Sequence, residues 1–222
     1  MPGGIGIFGG TFDPIHLGHL RGAEEVREAL ALDEVRFVPA AAPPHRRGAP
    51  LAPANHRYRM VELGIADVPG FRSWDVELAR PGPSYSVDTL RAVRAEVGTA
   101  VRVAFVLGFD AFRDFETWKE HATLFTLCDV VVMTRPPWPQ DLSLEDIPLA
   151  ARKAFRYDSG SEAFLHESGH VLSLQRITSL DISATAIRAR VAAHRSIRFL
   201  VPCAVERYIA EHRLYRQEDG AR

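Results

Sequence analysis

Residues 3–25 read GGIGIFGGTFDPIHLGHLRGAEE, and two patterns in this stretch make different demands on the fold. Gly4, Gly6 and Gly9 spell G-x-G-x-x-G, while His16 and His19 spell H-x-G-H. A working glycine fingerprint sits in the turn after the first strand of an α/β unit, where backbone amides approach a pyrophosphate. Here Gly4 and Gly6 precede or lie within the only available first strand, IGIF (5–8). The fingerprint is therefore coincidental. An acid at Asp33 or Glu34 falls where a ribose-binding partner would be sought, but helix-to-strand turns are rich in such residues, so a dinucleotide-dependent dehydrogenase is disfavoured.

The second pattern has better context. Gly9, Gly10 and Thr11 follow the strand directly, and Pro14 punctuates the loop before a helix that begins near Leu17. A strand, a glycine-rich loop and a helix start make an anion site, because exposed amides and the positive end of the helix dipole attract phosphate. His16 and His19, three apart, lie on one side of that helix start, and Gly18 leaves room for close approach. The pair also suits a capping or surface role, or a metal site. Zinc would require further ligands, and only Asp13 is near in sequence.

Outward from this unit, apolar runs alternate with helical patterns. Strands are expected at 34–40, 72–78, 101–108, 129–135 and 171–177, and helices at 17–31, 54–67, 85–97 and 115–127. Continuous apolar runs such as VRVAFVLG suit strands buried on both faces. The alternation predicts a Rossmann-like α/β fold: a doubly wound, mostly parallel sheet with helices on both faces. Two successive helices follow at 183–194 and 202–214, the first capped by Ser183 and the second opened by Pro202. One domain is expected over 1–222, with a core to about 180 and C-terminal helices over about 181–216. The Pro/Ala-rich segment 39–55 reads as a ligand loop. Residues 135–170 are the least regular, with room for one short helix. HESGH (166–170) matches H-E-x-x-H, but Ser168 and Gly169 suit a solvent-exposed turn better than a zinc-binding helix.

Composition narrows the function classes. Lys and Arg number 27 against 28 Asp and Glu, a net charge of -1 that argues against sequence-independent nucleic-acid binding. Cys128 and Cys203 read as buried free thiols. No apolar run approaches the roughly 20 residues of a membrane span, and the cytoplasm is the expected location.

GGTFDPIHLGH near one end and ISATAIR (182–188) near the other resemble the signatures of the nucleotidylyltransferase superfamily. PPHR (43–46), PSYSVDTL (83–90), LGFDAF (107–112), TWKEH (117–121) and TRPPW (134–138) are similar to segments of the bacterial nicotinate-nucleotide adenylyltransferases, so the resemblance runs from residue 5 to about 216. It implies adenylyl transfer from ATP to nicotinate mononucleotide, giving nicotinate adenine dinucleotide and pyrophosphate in NAD biosynthesis. Mg2+ would arrive with ATP, held mainly by substrate oxygens and water, without a protein carboxylate cage. By the same resemblance His16, His19 and Arg188 carry the catalysis. Gly9, Gly10, Thr11, Gly108, Asp110 and Ser183 join them in binding ATP, and Thr11, His45, Arg46, Ser86, Thr89, Trp118 and Arg135 bind the mononucleotide. Ala40, Phe109, Ala111 and Lys119 depart from the family pattern and bear on the mononucleotide contacts. A phosphopantetheine adenylyltransferase lacks the PPHR, PSYSVDTL and TWKEH set; a silent nucleotide-binding module fits poorly with intact His16, His19, Ser183 and Arg188. A homodimer is compatible with the sequence.

Overall fold

The computed structural model describes residues 3–44 and 51–216. The expected crossovers are present: β1 (Ile5–Gly10), α1 (Leu17–Ala29), β2 (Glu34–Pro39), α2 (Ala54–Ile65), β3 (Phe71–Ser73), α3 (Ser86–Val97) and β4 (Val103–Gly108) follow in order. After them come α4 (Phe109–Arg113), α5 (His121–Leu127), β5 (Asp129–Thr134), β6 (Phe155–Asp158), β7 (Ala163–His166), β8 (Val171–Arg176), α6 (Ala184–Ala192) and α7 (Cys203–Glu211). All eight strands form one sheet in the order β3-β2-β1-β4-β5-β8-β7-β6. Pairing is parallel from β3 through β8 and antiparallel for β7 with β8 and β6 with β7. β1 has β2 on one side and β4 on the other. The strand order therefore reverses at β1, and the loops leaving β1 and β4 part there to open a crevice.

Alternation along each strand divides the core into two layers. Ile5, Ile7, Val103, Phe105, Leu107, Val130 and Val132 face α3 and α5, which contribute Val87, Leu90, Val93, Leu124 and Phe125. Phe8, Ala104, Val106, Val131 and Met133 face the other way, onto Ala23 and Val26 of α1, Met60 and Val61 of α2, and Val205 and Ile209 of α7. Both faces are apolar, as parallel strands covered by helices require.

Six expectations need correction. β1 continues through Gly10, with Gly9 opposite Val38 and Gly10 opposite Pro39, so the glycines end the strand and the loop begins at Thr11. β3 stops at Ser73, because Asp75 turns the chain by accepting from the amides of Leu78 and Ala79. The helix expected over 115–127 is broken: a 3-10 turn at Phe115–Thr117 ends at Trp118, and α5 starts only after Glu120, whose φ of 50° is left-handed. Residues 135–170 hold two 3-10 turns and the β6 and β7 strands that extend the sheet at one edge. HESGH is a turn, but His166 is buried, its Nδ1 accepting from the Ser168 amide. Cys128 is buried as expected, and Cys203 is exposed. Among the described residues no helix is long and apolar enough to cross a membrane.

Candidate functional site

The crevice at the carboxyl ends of β1 and β4 is walled by the loop from Thr11 to His16. Phe12 adopts a φ of 47° and Asp13-Pro14 is cis. Its side chains are fixed from below: Phe12 packs edge-on against Phe8 with ring centroids 5.5 Å apart, and Gly10 lacks a Cβ that would lie 2.9 Å from the Phe12 ring. The loop delivers His16 to the N-cap position of α1.

The two histidines cap the helix reciprocally. Nδ1 of His16 accepts from the His19 amide at 3.3 Å, and Nδ1 of His19 accepts from the His16 amide at 3.3 Å. Their rings stack with centroids 3.6 Å apart. The capping and phosphate-contact readings of this pair are thus compatible, and the first constrains the second. An Nδ1 that accepts from an amide carries the lone pair, so a neutral ring holds its proton on Nε2. Among the described residues no hydrogen bond engages Nε2 of either ring. Burial, and then the nearby charge of Arg135, lowers the His16 pKa to about 4. Burial, His16 and Arg135 together hold His19 well below the usual histidine range. Both imidazoles are neutral donors at neutral pH, and an anion brought between them and Arg135 would oppose the burial effect.

Arg188 reaches this loop from α6. Its Nη1 donates to the Asp13 carbonyl at 2.7 Å and Nη2 to the Thr185 hydroxyl at 3.2 Å. Ser183 caps α6 as expected, its hydroxyl accepting from the Ala186 amide at 3.2 Å. The Asp13 carboxylate is 2% exposed. Its Oδ1 accepts from the Tyr215 hydroxyl at 2.7 Å and from the Ala52 amide at 3.3 Å, while Oδ2 has no hydrogen-bond partner and lies 3.9 Å from Arg188 Nη1. Thr11, His16, His19, Arg135 and Arg188 therefore converge on one loop.

The other expected residues sit at the end of β4, on α4, on α3 and in the segment before α5. Gly108 caps α4, and Asp110, in its first turn, folds back so that a Cβ on Gly108 would lie 2.6 Å from its Oδ1. Ser86 is the first residue of α3. Trp118 is half-buried, with its ring 5.1 Å from Phe115 and 6.2 Å from Phe105. Lys119 crosses to α3, placing Nζ 3.1 Å from Asp88 Oδ2 and 4.8 Å from the Tyr85 ring centroid. Thr89 does not reach the crevice: it is 2% exposed and its hydroxyl donates to the buried Glu77 carboxylate at 2.5 Å. His45 and Arg46 lie outside the described residues.

Two residues of this site, Tyr215 and Arg57, escape a reading by motif. Asp13 and Tyr215, 202 positions apart, meet only in the folded chain. Arg57, in a polar-looking stretch, is 1% exposed and donates to the carbonyls of Ala52, Thr11 and Ala41. Its position three and four residues before the buried Met60 and Val61 is the one sequence signal that places it on the inner face of α2.

The cytidylyltransferase-like family model matches residues 7–190. A Syntrophotalea carbinolica protein named "Probable nicotinate-nucleotide adenylyltransferase" is 46% identical over 215 residues, covering 97% of this chain and 98% of the relative. A Geotalea daltonii protein of the same name is 45% identical, covering 95% and 97%. The Plasmodium falciparum nicotinic acid mononucleotide adenylyltransferase complexed with NaAD superposes with a TM-score of 0.72 at 19% identity, covering 96% of this chain and 97% of that one. That likeness extends to the fold.

Proposed function

Since the chain belongs to the nicotinate-nucleotide adenylyltransferases of the cytidylyltransferase-like family, we propose that it transfers the adenylyl group of ATP to nicotinate mononucleotide, releasing pyrophosphate and forming nicotinate adenine dinucleotide. The observation that carries this reading is the stacked histidine pair at the start of α1, neutral, with both Nε2 protons uncommitted and the charge of Arg135 beside it. The attacking phosphate is already an anion at neutral pH and needs no protein base. Alignment of the two phosphates and stabilisation of charge on the α-phosphate and leaving pyrophosphate remain for the protein to supply.

In this reading His16 and His19 donate from Nε2 to ATP phosphate oxygens, with His19 the principal transition-state group. Arg188, held against Asp13 and Thr185, clamps the outer phosphates with its remaining donors. Arg135 acts on the phosphate side of the mononucleotide, because its charge is felt by both histidines. Gly108 and Asp110 receive the adenosine, and Ser86 and Trp118 the nicotinate ring. Mg2+ carried by ATP would supply neutralisation of phosphate charge. Among the described residues no cluster of three metal-ligating side chains exists, and the one buried carboxylate oxygen without a hydrogen-bond partner, Oδ2 of Asp13, faces Arg188. The donors present suit an ion held by substrate oxygens.

Purified protein given ATP, Mg2+ and nicotinate mononucleotide should release pyrophosphate far faster than with nicotinamide mononucleotide. No release with either nucleotide refutes the reading; equal rates refute only the preference for the acid.

A further inference from the structure

Arg57 is among the largest fully buried side chains of the described residues, and it forms no ion pair among them. Its donors go instead to three carbonyls from three segments: Nε to Ala52 just before α2 at 2.9 Å, Nη1 to Thr11 at 2.8 Å, and Nη2 to Ala41 beyond β2 at 3.1 Å. Only a planar fork of several N–H groups can serve three acceptors in different directions; a lysine ammonium cannot span them. Burying a guanidinium is costly, and carbonyls repay that cost less well than a carboxylate would.

The connection continues beyond Ala41. Ser84 Oγ accepts from the amides of Ala41 at 2.9 Å and Ala42 at 3.2 Å, and the Ser84 amide donates to the Ala42 carbonyl at 3.0 Å. Ser84 stands two residues before Ser86, where α3 begins. A continuous chain of hydrogen bonds thus runs from Thr11, at the phosphate loop, through Arg57 and the exit of β2 to the segment that opens α3. The first end belongs to the loop where the two substrates would meet and the last to the segment that would receive the nicotinate ring.

We propose that Arg57 is a positioning residue for adenylyl transfer, setting the separation of the two substrate phosphates by tying Thr11 to Ala41 and, through Ser84, to the start of α3. The inference rests on the adenylyl-transfer reading. In-line attack needs reacting atoms about 3–3.5 Å apart, and a displacement of about 1 Å costs on the order of 100-fold in rate. Arg57 touches neither substrate, so its loss should leave each binding site intact and spoil their alignment.

The test compares wild type, Arg57→Lys, Ser84→Ala and the double variant, measuring pyrophosphate release together with separate binding of nicotinate mononucleotide and a non-hydrolysable ATP analogue. For folded Arg57→Lys, kcat should fall about 100-fold with KM and both binary affinities little changed. Ser84→Ala should lower kcat in the same way by a smaller factor, and the double variant should be no worse than Arg57→Lys alone, because both cut one chain. If Arg57→Lys does not fold, the same kcat-only loss is required of Ser84→Ala. Normal kcat per folded molecule, or a loss confined to KM, overturns the inference. An inactive wild type overturns the functional reading beneath it.

Discussion

Gly18→Ala separates the geometry of the histidine pair from the stability of the fold. A Cβ at Gly18 would lie 3.1 Å from both Cε1 and Nδ1 of His16, and 3.8 Å from the Ile182 carbonyl oxygen. The second contact is ordinary; the first forces the imidazole to yield by a few tenths of an ångström. The ring has little room, because His19 is stacked on it at 3.6 Å and its Nδ1 bond to the His19 amide is already 3.3 Å long. Weakening that cap costs about 1 kcal/mol. Replacing glycine by alanine within a helix returns up to about 1 kcal/mol. The two nearly cancel, so the melting temperature should move by less than about 4 °C for a chain of this size. The Nε2 donor of His16 shifts with its ring, and pyrophosphate release should fall about 10-fold, a fraction of the loss expected for a full ångström of misplacement. Calorimetry and a turnover assay on one preparation check both halves. An unchanged melting temperature with unchanged turnover would show that the placement of His16 does not limit the reaction.

Three further outcomes follow from the site. His19→Ala should lower turnover by at least about 100-fold with the fold intact, the size expected for one charge-stabilising donor; a near-normal rate removes His19 from the mechanism. The His16 pKa is lowered in the folded chain to about 4 from an ordinary 6.5, so the unfolded chain binds the proton first as pH falls. Stability should be full above pH 6.5 and decline toward pH 4, by roughly 1 kcal/mol near pH 5.5 from this group. His166, also lowered by burial, acts with the same sign; His16→Gln should therefore flatten part of the slope in urea titrations, and an identical slope contradicts the assignment. Tyr215→Phe withdraws a hydroxyl donor from the Asp13 carboxylate and should cost about 1–3 kcal/mol in denaturant unfolding. No loss would mean that the carboxylate finds another partner.

The parts of the fold legible in the sequence are those where a local pattern and tertiary packing agree. Val103–Leu107 and Val130–Met133 are continuous apolar runs because both faces are covered, and Ser183 and Pro202 mark helix starts through their own chemistry. The hairpin strands FRYD and AFLH carry no such run: each is four residues long, and Tyr157 is exposed at the sheet edge. The break before α5 depends on one left-handed residue, Glu120, in a stretch whose composition favours a helix. In the site, His16, His19, Ser183 and Arg188 sit in contiguous motifs. Arg57 and Tyr215 act by filling space between segments distant in the chain, and a charged residue in a helical stretch looks solvated until its partners are known.

The reciprocal cap at His16 and His19 has a consequence for how such a chain can drift. Replacing either histidine disturbs the donor offered to the nucleotide and also removes half of the cap: without His19 the His16 amide loses its ring acceptor, and without His16 the His19 amide is left with the His16 carbonyl alone, at 3.0 Å. A lineage released from catalysis would still be held to this pair by folding until a serine, threonine or aspartate took over the cap. Retention of both histidines is therefore weaker testimony to activity than it looks, and the stronger witness is Arg188, which among the described residues uses only Nη1 and Nη2 for hydrogen bonds.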